Sequence, residues 1–210
     1  MIGHILSSKE AWPLRKGEAT RTRILDEAAR QAAARGLSAV SLAEVAQGVG
    51  LSKSGLFRHF DDKEAMQLAI LEQVLDRFTR FTWAEVEGLP PGRPRLERIF
   101  DQWLAWTEHE WDQSGCPIMA ASVELDAQPG PLRDYLQNGL RRWRMTLLAE
   151  FKALRSPSPT DDEAATAYFQ MKSFVLGHAE ALRLMADPDA RASALSAFQA
   201  LLDRSEGEQR

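Results

Sequence analysis

The sequence lacks the features that would tie the chain to an oxidising compartment or to a membrane. Cys116 is the only cysteine among 210 residues, so no disulfide can form within one chain. No apolar run approaches the roughly 18 residues of a transmembrane helix, and the apolar stretch near Met1 is too short for a signal peptide. We therefore expect a soluble cytoplasmic protein.

Recognisable motifs of catalysis and metal binding are also missing. The four histidines do not have the spacing of a zinc-binding H-E-x-x-H sequence. No G-x-S-x-G, phosphate-binding glycine loop or dinucleotide fingerprint occurs. We expect a protein that is not an enzyme and that uses no metal or cofactor. A helical enzyme whose catalytic residues come together from distant positions is the remaining alternative.

The chain does contain a compact pattern of two short helices joined by a glycine, at residues 41–60. Ser41 and Glu44 have the spacing of a capping box, in which each side chain accepts a backbone N–H of the other residue. A helix should therefore begin at Leu42. Gly50 supplies the positive φ that ends such a helix at little cost.

Ser52 can cap a second helix, which should run from Lys53 to about His59. We expect its apolar side chains to be buried (Leu56, Phe57 and Phe60) and its polar ones to be free (Lys53, Ser54, Arg58 and His59). Polar side chains on a short exposed helix can reach phosphates and base edges. The pattern thus predicts a helix-turn-helix whose second helix enters the major groove of DNA. A helical hairpin in an ordinary all-α protein is the alternative.

Helices are predicted on both sides of this pair. The Ala-rich segment Arg21–Arg35 is amphipathic and ends at Gly36. Residues 61–64, Asp-Asp-Lys-Glu, open a long helix with an acidic first turn, which the helix dipole favours.

With these flanks, residues 17–68 resemble the TetR family of bacterial transcriptional regulators. The family pattern is G-V-S-x-G-T-L-Y-x-H-F followed by S-K-E. Here residues 50–60 read G-L-S-K-S-G-L-F-R-H-F, followed by D-K-E at 62–64. Three departures from the pattern matter: Ser54-Gly55 replaces Gly-Thr, Phe57 replaces a tyrosine whose O–H would meet a phosphate, and Arg58 adds a bidentate donor. We expect an altered operator preference with DNA binding retained.

The predicted DNA contacts come from this region and from the helix before it. They are Arg21, Ser41, Ser52, Lys53, Ser54, Gly55, Phe57, Arg58, His59 and Lys63. Residues 1–63 hold ten Lys and Arg against seven Asp and Glu, and the rest of the chain holds 16 against 23. The positive charge therefore lies where DNA contact is predicted, and a solvated surface is the alternative for Arg15, Lys16, Arg21 and Arg23.

The rest of the chain reads as helices separated by proline and glycine. The predicted spans are 63–86, 95–111, 117–125, 132–154, 161–186 and 188–204, with Thr160 and Glu163 as a second capping box and Asp187 as the last N-cap. The fold class is all-α with about nine helices. We predict a flexible arm at 1–16, a helix-turn-helix domain at 17–64 and a helical ligand-binding and dimerisation domain at 65–210.

The resemblance implies that the last two helices pair with their copies in a homodimer. The predicted interface consists of Ala164, Tyr168, Val175, Leu182, Leu195, Phe198 and Leu202. Packing within one chain is the alternative, because periodicity does not tell whose surface fills the groove. Dimerisation would let two reading helices bind the two halves of a palindrome.

Aromatic and sulfur-containing residues in the middle of the chain are candidates for an apolar ligand pocket. The predicted lining is Phe100, Trp103, Trp106, Trp111, Met119, Trp143, Met171, Phe174 and His178, and plain core is the alternative reading. Glu124, Arg144 and His178 are candidates for polar ligand contacts. Cys116 is either a redox sensor or a small buried hydrophobe.

The sequence therefore predicts a homodimeric regulator, a repressor that leaves a palindromic operator when a small apolar or aromatic ligand binds. Its partners would be double-stranded DNA, a second copy and an unknown small molecule, with no membrane. Control by a partner protein or by oxidation of Cys116 is the alternative. The resemblance implies that ligand tilts the helix beginning at Lys63 and changes the separation of the two reading helices.

Overall fold

The computed structural model describes residues 16–110 and 114–207. Nine helices and no strand are found in these two stretches, as the all-α prediction requires. They are α1 (Lys16–Arg35), α2 (Leu42–Gly48), α3 (Lys53–Leu56), α4 (Lys63–Trp83), α5 (Arg93–His109), α6 (Pro117–Glu124), α7 (Pro131–Lys152), α8 (Asp161–Arg183) and α9 (Ala190–Glu206). The predicted flexible arm at 1–16 lies outside the described residues except for Lys16.

Two groups of helices, α1 to α3 and α4 to α9, share one continuous core. α1, α2 and α3 form the first group around buried residues such as Ile24, Val45 and Leu56. α4 packs against α1 and then against α5 and α7, while α8 packs between α7 and α9. A single cluster of buried side chains extends from Ile24 to Leu202, so α4 is held on both sides.

Local signals explain several helix ends. Ser52 and Asp62 cap α3 and α4 by accepting from Gly55 N at 3.0 Å and Ala65 N at 2.7 Å. Gly50 has φ +71°, as predicted for the residue that stops α2. Thr160 begins α8, where its capping box with Glu163 is complete.

Three local predictions were wrong. Ser41 does accept from Glu44 N at 3.4 Å, but the Glu44 carboxylate bonds Arg35 at 2.5 Å instead of returning to the cap. α3 ends at Leu56, since the chain closes a tight turn there with His59 N donating to Leu56 O. α9 begins at Ala190, because the Asp187 carboxylate accepts from Asp189 N in a turn ahead of the helix.

No helix in the described part of the chain is long and apolar enough to cross a membrane.

Candidate nucleic-acid interface

The short helix α3 is held rigidly at its N-terminus and along its inner side. Ser52 Oγ accepts from Gly55 N and lies 3.0 Å from Ser54 Oγ. Leu56 and Phe60 are buried, with 0% and 5% of their surface exposed. These two anchors fix which side of α3 faces solvent.

The opposite side of α3 and the turn after it present the predicted polar residues. Lys53, Ser54 and Arg58 are exposed, and His59 is half-buried. Phe57 was expected to be buried but is 42% exposed. It follows the last residue of α3, where the chain leaves the helix and carries its ring outward. The Lys53 ammonium lies 6.0 Å from the centre of that ring, so a cation and an aromatic face are presented side by side.

Other predicted DNA contacts are engaged within the protein. The Arg21 guanidinium lies 4.9 Å from the centre of the Phe60 ring. Lys63 Nζ donates to Ser38 O at 2.6 Å, and Ser41 serves as the N-cap of α2. These residues support the position of α2 and α3, and a direct role in DNA contact stays a prediction for each.

Arg23 is also hydrogen-bonded within the protein. Its guanidinium donates to Val49 O at 3.1 Å, at the end of α2. The bond connects α1 to the turn between α2 and α3, so Arg23 stabilises the helix-turn-helix. Lys16 begins α1, and Arg15 lies outside the described residues.

Three of the nine predicted ligand residues meet in an aromatic cluster, and the centre of that cluster is a residue that the sequence reasoning missed. The Phe78 ring of α4 lies edge-on to Trp103, Trp106 and Trp143, with ring centres 5.6, 5.3 and 5.1 Å apart. Trp103 and Trp143 are 5.7 Å apart. The apolar spacing of α4 was the available signal for Phe78.

The remaining predicted ligand residues are dispersed around this cluster. Phe100 stacks on Phe198 at 4.1 Å, so it belongs to the contact of α5 with α9. Met171 is buried, while Met119 and Phe174 are half-buried. Trp111 lies outside the described residues.

Two buried polar groups lie in this part of the molecule. Trp143 Nε1 and His178 Nδ1 have no hydrogen-bond partner among the described residues. His178 Nε2 lies 3.0 Å from Glu108 Oε1, and the other Glu108 oxygen accepts from Arg191 at 2.7 Å. Buried donors are nearly always satisfied in proteins, so the Trp143 N–H is an exception among the described residues.

The two other candidates for polar ligand contacts, Glu124 and Arg144, make contacts within the protein, and a ligand role stays a prediction for each. Both oxygens of Glu124 accept backbone N–H groups of Leu37 and Ser38. The Arg144 guanidinium lies 5.7 Å from the centre of the Tyr168 ring. Both side chains are therefore occupied by other parts of the protein.

A surface cleft of about 370 Å³ opens elsewhere, among the ends of α7 and α9 and the start of α8. Phe151, Arg155 and Gln170 are among its lining residues, and none of the predicted ligand residues is. Arg155 is paired there with Glu163 at 2.8 Å.

Cys116 is the N-cap of α6 and is buried, with 8% of its surface exposed. Its sulfur accepts from Trp106 Nε1 at 3.3 Å. Burial raises the pKa of the Cys116 thiol above its ordinary value, which outweighs the nearby donors that lower it. A protonated, enclosed thiol reacts slowly with oxidants, so these features argue against a redox sensor.

Most residues of the predicted dimer interface are packed inside one chain. Ala164, Tyr168, Val175, Phe198 and Leu202 are all buried, and Leu182 and Leu195 are half-buried. A side chain enclosed by its own chain offers little surface to a second copy, and a role in the dimer stays a prediction for these residues.

Three other apolar residues are exposed on or next to α8. Phe169, Leu176 and Leu184 expose 70%, 46% and 76% of their surfaces, and their spacing of seven and eight residues aligns them along the helix. Periodicity could not tell this stripe from the buried one beside it.

The fold and the solvent-facing side of α3 define a helix-turn-helix protein of the DNA-binding class. The family model described as "Bacterial regulatory proteins, tetR family" matches residues 24–70. A second model, "Tetracyclin repressor-like, C-terminal domain", matches residues 92–198, which is half of the chain. The chain belongs to the TetR family of bacterial regulatory proteins.

Individual relatives agree with this assignment. A segment of 80 residues is 43% identical to the HTH-type transcriptional repressor KstR2 of Rhodococcus jostii (strain RHA1). That match covers 38% of this chain and 39% of the repressor.

Solved structures match over more of the chain. The TetR-family regulator SCO4454 of Streptomyces coelicolor has a TM-score of 0.77 at 18% identity, over 90% of this chain and 97% of that one. AibR, in complex with isovaleryl coenzyme A and operator DNA, has a TM-score of 0.67 at 20% identity, over 88% and 97%. At these identities the likeness concerns the fold.

Proposed function

We propose that this chain is a ligand-responsive DNA-binding repressor that binds a palindromic operator as a homodimer. The observation that carries the proposal is the two-sided character of α3. Leu56 and Phe60 anchor it, and Lys53, Ser54 and Arg58 face solvent beside the exposed Phe57 ring. Such a helix can deliver a cation to a phosphate and a bidentate donor to a base edge.

The proposed dimer uses the exposed stripe of Phe169, Leu176 and Leu184. α9 packs against α8, and its exposed residues include the small Ala192, Ser193, Ser196 and Ala200, which would allow close approach of a second copy. One α3 reads only a few base pairs, so two copies related by a two-fold axis would read a palindrome. Repressor action is suggested by the relative KstR2, and the cytoplasm is where such a protein would meet DNA.

The proposed ligand is a small apolar or aromatic molecule with one hydrogen-bond acceptor. The apolar part would enter among the rings around Phe78, and the acceptor would take the N–H of Trp143. Since Phe78 belongs to α4, a ligand that displaces its ring would also shift α4. The AibR complex, which holds both isovaleryl coenzyme A and operator DNA, supports a sensor of this general kind.

Selection of bound fragments from random DNA tests the proposal, followed by fluorescence anisotropy on the selected duplex at several salt concentrations. Lys53→Ala should weaken binding and flatten the log–log salt dependence by about 1.8, because a dimer loses two phosphate contacts. Arg58→Ala should weaken binding by about tenfold or more per half-site if it reads a base. Arg141→Ala, an exposed arginine on α7, is the matched control and should bind as the wild type does. Unchanged binding in both Lys53→Ala and Arg58→Ala would remove the role assigned to α3 and the turn after it.

The two alternatives make different predictions for the same duplex. Release by a small aromatic compound, with a change in tryptophan fluorescence, supports the ligand-responsive repressor. Release only by an oxidant would instead favour Cys116, and release only by another protein would favour control by a partner.

A further inference from the structure

The loop between α1 and α2 is held by side chains from two distant helices. Glu124, the last residue of α6, accepts from Leu37 N at 2.5 Å and from Ser38 N at 2.7 Å. On the other side, Gln67 and Lys63 of α4 donate to Leu37 O at 3.0 Å and Ser38 O at 2.6 Å. Two consecutive residues therefore have both of their backbone polar groups bonded to α4 or α6.

The Glu124 carboxylate also needs a glycine at position 36 of this loop. Gly36 has φ +91°, and a Cβ at this position would lie 2.9 Å from Glu124 Oε2. Leu37 and Val40 are 2% and 1% exposed, so the residues leading into α2 are packed firmly. A displacement of this loop would therefore displace α2 as well, because the residues between them are tightly packed.

The other end of α6 touches the aromatic cluster. Cys116, its N-cap, accepts from Trp106, and Trp106 lies against Phe78. α6 has eight residues and thus spans about 12 Å at the rise of an α-helix. It is a short rigid element with the proposed sensor at one end and the loop before α2 at the other.

We propose that Glu124 is a positioning residue that carries movements of α6 to the helix-turn-helix and so sets the separation of the two reading helices in the dimer. The inference rests on the proposed function and adds a second route beside α4. Both routes end on Leu37 and Ser38, because their N–H groups are bonded to Glu124 of α6 and their carbonyl groups to side chains of α4. A ligand that shifts the two helices differently would strain this loop and turn α2 with α3.

Hydrogen exchange of the full chain without DNA tests whether Glu124 positions the loop, α2 and α3. In Glu124→Ala the amides of Leu37 and Ser38 should exchange about tenfold faster, since a charged acceptor is lost. Amides of α2 and α3 should exchange about threefold faster as well. Glu124→Gln keeps one acceptor oxygen and should give a partial effect. Asp126→Asn, an exposed carboxylate two residues beyond α6, removes the same charge and should change nothing.

Binding to duplexes with altered half-site spacing tests the functional part. The wild type should discriminate against operators with one base pair inserted or deleted at the centre, and Glu124→Ala should lose most of that discrimination, with Glu124→Gln in between. A purely structural defect would lower affinity for all spacings alike, and that result overturns the inference. So does unchanged exchange in α2 and α3 of Glu124→Ala. If the wild type selects no duplex, the proposed function fails, while the exchange data still decide whether Glu124 positions α2 and α3.

Discussion

Substitution of Gly36 by alanine should destabilise the protein mainly through Glu124. The backbone at Gly36 has φ +91°, a conformation that costs an L-residue about 1–2 kcal/mol. The new Cβ would also lie 2.9 Å from Glu124 Oε2, which forces the carboxylate away from Leu37 N. Weakening a hydrogen bond to a charged group costs up to about 1.5–3 kcal/mol. We therefore expect a total loss of up to about 2.5–5 kcal/mol, a large part of the stability of an ordinary domain.

Urea unfolding at a fixed protein concentration measures this loss. Gly17→Ala is the control, because a Cβ there has no atom within 4 Å and Gly17 lies inside α1. Because Gly17 is only the second residue of α1, that variant should be more stable than the wild type by less than the about 0.5–1 kcal/mol of a glycine in mid-helix. A double-mutant cycle with Glu124→Ala separates the two costs, since only the backbone cost of about 1–2 kcal/mol remains when the carboxylate is absent. Equal costs of Gly36→Ala in both backgrounds would refute the contact with Glu124 as the cause.

Three further outcomes follow from other parts of the molecule. Leu176→Lys should turn the dimer into a folded monomer in sedimentation experiments, whereas Val123→Lys, on α6 with 76% of its surface exposed, should leave it a dimer. The backbone N–H of Thr160, with Arg155, lowers the pKa of Glu163 from 4.5 to about 2. Its contribution to stability is therefore present above pH 4.5 and lost as the pH falls toward 2, so Glu163→Gln should flatten the acid-unfolding curve in that range. The Cys116 thiol should react with a thiol reagent slowly in the native protein and quickly in urea, and fast native labelling would restore the redox alternative.

The elements that depend on neighbours in sequence were predictable. The serine that caps α3, the glycine that stops α2 and the complete capping box at Thr160 act over a few residues, so their spacing indicates the outcome. The predictions failed where a local signal had a competitor. Arg35 takes the Glu44 carboxylate, and Asp187 bonds a turn instead of beginning α9.

By itself, the sequence determined the family, the all-α class and the outward-facing polar residues of α3, because helix periodicity and caps are short-range properties. Only the tertiary structure decided which apolar stripe of α8 faces the core, which ring sits at the centre of the aromatic cluster and what Glu124 binds. The Glu124 carboxylate meets a loop 86 residues earlier in the chain. Contacts at such separations depend on how whole helices pack, and many arrangements of the same amphipathic helices satisfy one periodic pattern.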